Sequence, residues 1–212
     1  MDSNDHILHK ESLEEHKDKE VIYDKWAETY DSYVSEINYH GPSNLAKEVF
    51  DYFESNDGYR NHIKLLDFGC GTGLLGQEMT KLLTNTYDFS IDGIDISDKM
   101  IQQSKNKNIY SHIWKLDLFN DVLPSQHQYD IIVSSGVFLE GHVSFKMVNI
   151  LLNSVKHSGL LFLTLRQSFR DKNHEEYLLY VEQNPRLEII FESNMEYLPD
   201  VKCKMIILKK LF

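Results

Sequence analysis

Residues 63–76 read Ile63-Lys-Leu-Leu-Asp67-Phe-Gly69-Cys-Gly71-Thr-Gly73-Leu-Leu-Gly76, and this stretch decides the fold. Ile63, Leu65 and Leu66 make a short apolar run that reads as a buried strand. Asp67 closes the run, and glycines follow at alternate positions. An apolar helical pattern then starts at Leu74 and continues to about Leu83. Glycines so spaced let the backbone turn with φ > 0 and let a ligand approach where a Cβ would clash. The first N–H groups of the helix have no partner within it and face that ligand. Strand, loop and helix together form a cradle for a small molecule.

Two ligand classes compete for the cradle. Gly71-Thr-Gly73-Leu-Leu-Gly76 fits the G-x-G-x-x-G dinucleotide pattern, and Asp95 lies 19 residues beyond Gly76, where a ribose-binding acid belongs. A nicotinamide or flavin enzyme is consistent with those residues. The match starts earlier, however, and Asp67-Phe-Gly69-Cys70-Gly71-Thr72-Gly73 resembles motif I of the class I S-adenosylmethionine methyltransferases. A carboxylate at the strand end suits a ligand with a cationic amino-acid portion, whereas beside a pyrophosphate it would set like charges together.

Working back from the cradle, residues 45–53 carry an apolar stripe of Leu45, Val49 and Phe53. It predicts a core-facing helix to about Glu54, opened by the Gly41-Pro42 break with Ser43 as N-cap and ended by Asn56-Asp57-Gly58. Tyr23, Trp26, Ala27 and Tyr30 recur at three- and four-residue spacing and share one helical face. Residues 1–20 are polar and charged and read as a partly flexible start followed by a solvated helix.

Working forward, Asp88 to Asp95 alternates like a strand, and Ser97 caps the next helix. Ser111 to Leu116 reads as a third strand, followed by Asp117-Leu118. Leu123-Pro124 opens a loop before the apolar strand Tyr129 to Gly136, whose near-continuous run suits a parallel strand covered on both faces. A helix is expected over Val143 to Val155, a fifth strand over Leu160 to Leu165 with Arg166 at its end, and a helix over Glu175 to Gln183. Two final strands, Arg186 to Tyr197 and Lys202 to Lys210, have no helix between them. The implied fold is α/β and Rossmann-like. It has a doubly wound, mostly parallel seven-stranded sheet, helices on both faces and an antiparallel C-terminal strand pair.

The 212 residues suffice for one such domain, over 21–212, with 21–57 as N-terminal helices that could cover the site. A net charge of −11 argues against a chain that holds nucleic acid by itself. Cys70 and Cys203 make no metal spacing or disulfide framework, and the ten histidines form no ligand pair. No apolar run approaches 18 residues and no leader pattern opens the chain, so no membrane is expected and a cytoplasmic location is.

The resemblance extends from about Tyr23 to Phe212. Tyr-Asp-x-Trp-Ala, Gly-Ile-Asp-Ile-Ser-x-x-Met, Ser-Gly-Val-Phe-x-x-Gly-His-Val and Leu-Thr-Leu-Arg are similar to the methyltransferase-like group that includes the Williams–Beuren region methyltransferase. It implies S-adenosylmethionine as cofactor, S-adenosylhomocysteine as product, and transfer to a small-molecule or protein acceptor by in-line displacement. It also implies a cofactor site built from Tyr30, Asp67, Gly69, Cys70, Gly71, Thr72, Gly73, Asp95, Ile96, Met100, Asp117, Leu118, Ser134 and Ser135. Tyr30, Tyr33 and His142 are the candidates for orienting or deprotonating the acceptor, and Arg166, at the end of the fifth strand, either clamps an acidic substrate group or pairs with a neighbouring acid. Ser134-Ser135-Gly136-Val137 stands where many amino- and nucleic-acid N-methyltransferases carry Asn/Asp-Pro-Pro-Tyr/Phe, which argues against those subclasses. A cofactor-binding partner subunit and a nicotinamide-dependent oxidoreductase are the alternatives.

Overall fold

The computed structural model describes residues 3–56, 62–123 and 128–212. The expected Asp57-Gly58 helix stop and Pro124 of the loop lie outside the described residues. Seven strands form one sheet: β1 (Ile63–Phe68), β2 (Phe89–Asp95), β3 (Ile113–Lys115), β4 (Tyr129–Phe138), β5 (Val155–Arg166), β6 (Leu187–Leu198) and β7 (Val201–Lys210). Their order is β3-β2-β1-β4-β5-β7-β6. β1 pairs in parallel with both β2 and β4, through Leu65↔Ile91 and Leu65↔Ile131. Only β7 runs against its neighbours, pairing antiparallel with β5 and β6. This is the architecture expected from the sequence.

The apolar runs are continuous because each central strand is covered on both faces. Leu65 points into a core with Leu45, Val49, Met79 and Leu83, while Leu66 points into the opposite core with Val148, Phe169 and Tyr177. Both leucines are fully buried, which stabilises the fold by about 1.5–3 kcal/mol each. The first core is roofed by α4 (Gly41–Glu54) and α5 (Leu74–Leu83). The second is covered by α7 (Lys146–Leu151), α8 (Gln167–Lys172) and α9 (His174–Tyr177), the last continuing into a π-helical turn at Leu178–Glu182.

Several boundaries differ from the sequence reading. His40, not Ser43, is the N-cap of α4, with Pro42 in the first turn and Ser43 Oγ donating back to the His40 carbonyl at 3.1 Å. The helix expected over Val143 to Val155 shrinks to α7, because residues 152–154 form a turn and Val155 already belongs to β5. The aromatic face at residues 23–33 is split between α2 (Lys19–Trp26) and α3 (Tyr30–Glu36) by a turn. Its spacing survives because Trp26 and Tyr30 still meet edge to face at 5.0 Å. The polar N-terminal stretch forms α1 (Ser3–Ser12), which sinks Leu8 against Trp26 and Tyr33 rather than lying wholly in solvent.

Strand order reverses between β1 and β4, and open α/β sheets bind ligands at the carboxyl ends of the strands flanking such a reversal. Two carboxylates hold α2 and α3 over that edge. Asp24 accepts from Ser97 Oγ (2.6 Å) and Lys99 N (3.1 Å), at the start of α6 (Asp98–Asn106). Asp31 accepts from Thr72 Oγ1 of the glycine loop and from Lys107 Nζ at 2.7 Å.

Candidate active site

The loop after β1 is held by backbone bonds. The N–H groups of Gly69 and Cys70 both donate to the Ile94 carbonyl at 2.9 Å, and Gly73 N donates to the Cys70 carbonyl at 2.8 Å. Gly69 and Gly71 have φ of +71° and +54°, where a Cβ is strained. They differ in surroundings. A Cβ on Gly69 would sit 2.3 Å from Val137 Cγ2, whereas one on Gly71 would meet nothing within 4 Å. Gly71 thus faces open space, a cavity of about 250 Å³ walled by the ends of β1, β2 and β4 and roofed by α2 and α3.

Asp95 at the end of β2 is half-buried on this wall. Its Oδ2 accepts from Gly71 N at 2.8 Å, and its Oδ1 accepts from Ser97 N at 2.9 Å. Burial raises its pKa, and the backbone donors Ser97, Gly71 and Ile96 oppose that rise. Each carboxylate oxygen accepts more than one hydrogen bond, so the pair has capacity left for two adjacent hydroxyls. Ile96, Met100, Asp117 and Leu118 continue the wall on one side, and Ser135 and Gly136 on the other.

Of the sequence-derived cofactor residues, Tyr30, Gly69, Gly71, Asp95, Ile96, Met100, Asp117, Leu118 and Ser135 line this one cavity. The others stand behind it. Asp67 is buried, accepts from Tyr110 Oη at 2.7 Å and keeps Oδ1 without a partner among the described residues. Burial pushes its pKa up to about 7, partly offset by the tyrosine. Cys70 lies against Gly93, where a Cβ would come 2.9 Å from its Sγ, and burial raises its pKa too. Thr72 bonds Asp31, Gly73 is the left-handed N-cap of α5, and Ser134 Oγ donates to the Phe68 carbonyl at 2.9 Å.

The acceptor-side candidates separate. His142 lines the cavity and Tyr33 and Arg166 do not. Tyr33 Oη is 2.8 Å from His9 Nδ1, and Arg166 pairs with Glu140 at 3.3 Å. His142 Nδ1 lies 2.9 Å from the Glu140 carbonyl, which only accepts, so the proton sits on Nδ1. Nε2 therefore accepts from Tyr23 Oη at 2.7 Å. Burial, its largest cause, pushes the His142 pKa down to about 4. The sequence reading placed Tyr23 on the right face but not in the site, and it missed Lys19 and Val143 on the wall. Tyr39, whose Oη is 2.9 Å from Ser135 Oγ, and Tyr197, stacked on it edge to face at 4.9 Å, were also missed. Only the aromatic residue type hinted at them. Among the described residues no group of three or more His, Cys, Asp or Glu could hold a metal ion, and no helix is long and apolar enough to cross a membrane.

A family model described as a methyltransferase domain matches residues 66–160, which contain the loop, Asp95 and Ser135. Human methyltransferase-like protein 27 is 28% identical over 158 residues, 74% of this chain and 61% of that protein. Malonyl-[acyl-carrier protein] O-methyltransferase of Priestia megaterium is 26% identical over 156 residues, 73% of this chain and 54% of that protein. The chain thus spans little more than half the length of these relatives. Magnesium protoporphyrin IX methyltransferase from Synechocystis PCC 6803, solved with bound S-adenosylmethionine, shares the fold with a TM-score of 0.61. It is 14% identical, and the match covers 99% of this chain and 92% of that one. In its sheet order the chain has the fold of the class I S-adenosylmethionine-dependent methyltransferases, and over residues 66–160 its sequence is similar to a methyltransferase domain.

Proposed function

We propose that the chain transfers a methyl group from S-adenosylmethionine to a small-molecule acceptor and releases S-adenosylhomocysteine. The observation that carries this reading is Asp95, a carboxylate with unused acceptor capacity on a cavity wall, bonded to the N–H of a glycine open to the same space. A ribose diol supplies the two donors that Asp95 lacks. Ile96, Met100 and Leu118 are apolar partners for an adenine, and the Gly69–Gly71 backbone would carry the amino-acid portion. When bound, the cofactor supplies a methyl group on a sulfonium that is already activated for displacement.

The protein's own task is then alignment and exclusion of water. Tyr23 and Tyr30 close the cavity from above. His142, neutral with a pKa of about 4, is too weak a base to take a proton from an amine at neutral pH. It acts on Tyr23 instead, fixing where that hydroxyl points. The malonyl-[acyl-carrier protein] O-methyltransferase of Priestia megaterium, similar over 73% of this chain, supports an acceptor outside the nucleic acids more strongly than a tRNA methyltransferase similar over 34% of it supports one within them.

Calorimetric titration with S-adenosylmethionine, S-adenosylhomocysteine and NADH in parallel tests the reading. Micromolar binding of the first two and none of NADH is expected. Binding of NADH alone overturns it in favour of a nicotinamide enzyme.

A further inference from the structure

α1 and the linker after it form one wall of a second, smaller cavity of about 50 Å³, which adjoins the larger one at Tyr23, Tyr30 and Gly136. His9, Ser12 and Leu13 supply that wall. The helix is docked by Leu8, buried against Trp26 and Tyr33, by Asp5, which accepts from Thr29 Oγ1 at 2.6 Å, and by His9, whose Nδ1 meets Tyr33 Oη at 2.8 Å. His9 is half-buried, and among the described residues what faces it is neutral or cationic. Trp26 of α2 lies 5.8 Å from its ring and Tyr33 of α3 5.6 Å, while Arg166 comes from the end of β5 and His6 from its own helix. Tyr23, Tyr39 and Tyr197 on the other walls are phenols that burial keeps uncharged. The nearby acids are engaged elsewhere: Glu140 with Arg166, Asp5 with Thr29 and Glu11 with Lys17.

We propose that α1 is an acid-released cover over the small cavity, docked while His9 is neutral and freed when His9 takes a proton beside Arg166 and His6. The cover works in this way whatever molecule the cavities take. Burial, and then the charges of Arg166 and His6, hold the His9 pKa below its ordinary 6.5. With the docked pKa depressed, docking is fully supported above 6.5 and loses support as pH falls below it. One proton weakens docking by at most about tenfold for each pH unit below that value. The linker stays tied meanwhile. Lys172 pairs with Glu15 and holds that carboxyl below its ordinary value, so Glu15 is still ionised when His9 titrates. Lys19 Nζ also donates to the Glu14 carbonyl. Acid therefore lifts residues 3–12 about a fixed linker and exposes the small cavity to solvent.

Hydrogen exchange on the whole chain, read as protection factors at about pH 7.5 and pH 5.5, tests the cover. Protection of the α1 amides should fall about three- to tenfold between the two, while amides of β1 and β4 keep theirs. His9→Gln should flatten that fall. His142, whose pKa is also depressed, bonds Tyr23 rather than α1, so a response owed to it survives in His9→Gln. A fall that is absent in the unaltered protein, that survives in His9→Gln, or that extends equally to β1 and β4 overturns the proposal. Should His9→Gln not dock even at the higher pH, NMR titration of the His9 ring in the unaltered chain decides, the ring being assigned through its contacts with Trp26 and Tyr33. A midpoint below 6.5 is expected, and one at or above 6.5 overturns the proposal.

Discussion

Gly71→Ala separates the demands of the fold from those of the ligand. At φ +54° a Cβ costs about 1–2 kcal/mol in backbone strain. Losing glycine's freedom in the unfolded chain returns about 0.4–1 kcal/mol. Nothing lies within 4 Å of the added carbon, so no packing cost follows. The net is about 1 kcal/mol, or roughly 2–4 °C in Tm for a chain of this size. The same carbon projects into the larger cavity, where it meets whatever binds there. Overpacking of that kind costs about 1–3 kcal/mol, roughly 5- to 150-fold in Kd. Gly69→Ala is the contrast, because its Cβ lies 2.3 Å from Val137 Cγ2 and the fold must shift before any ligand arrives. Thermal melting and calorimetry with S-adenosylhomocysteine read the two effects separately. Gly71→Ala binding as tightly as the parent would refute the placement of the ligand, and a loss beyond 10 °C in Tm would refute the claim that the site is sterically open.

Asp95→Ala removes the acceptor of two backbone N–H groups as well as the ribose partner. It should weaken S-adenosylhomocysteine at least tenfold by calorimetry, since hydrogen bonds to a charged group contribute about 1.5–3 kcal/mol each. Asp117→Ala should act more mildly, because that carboxylate already accepts from Phe119 N (3.0 Å) and Asn120 Nδ2 (2.6 Å) of its own loop. Asp67 has a folded pKa of about 7 against an ordinary 3.8, so between these values the folded state binds the extra proton and stability falls as pH rises. Asp67→Asn should therefore melt above the parent by a margin that grows from pH 4 to pH 7 and levels off beyond. A margin independent of pH would contradict the assignment of that proton.

The strand–loop–helix unit was legible because its signals are local. Leu74–Leu83 is the observed span of α5, and the loop's glycines do turn with positive φ. Asp95, Ile96 and Met100 could be placed on one wall because a single strand end and helix cap carry them. Tyr39 and Tyr197 could not, being 158 positions apart and joined only when His40 N reaches the Tyr197 carbonyl at 2.8 Å. Thr72, Cys70 and Ser134 sit in the motif yet turn away from the cavity. Motif spacing fixes a backbone path, and the side chains' directions depend on neighbours such as Asp31 and Gly93 that the spacing does not encode. The shortened α7 has a similar cause, since apolar periodicity does not register the turn at residues 152–154.

Asp24 belongs to the roof of the site, yet it bonds the first turn of α6, whose Met100 forms part of the floor. Roof and floor are therefore one cooperative unit. When α2 lifts, Lys99 N–H and Ser97 Oγ lose their acceptor at the same moment, and the start of α6 is left less well tied. Opening the site thus loosens the wall that faces the ligand, and a bound molecule that holds α2 down protects amides in α6 that it never touches. Any opening of the cavity that moves α2 therefore costs hydrogen bonds at the start of α6 as well.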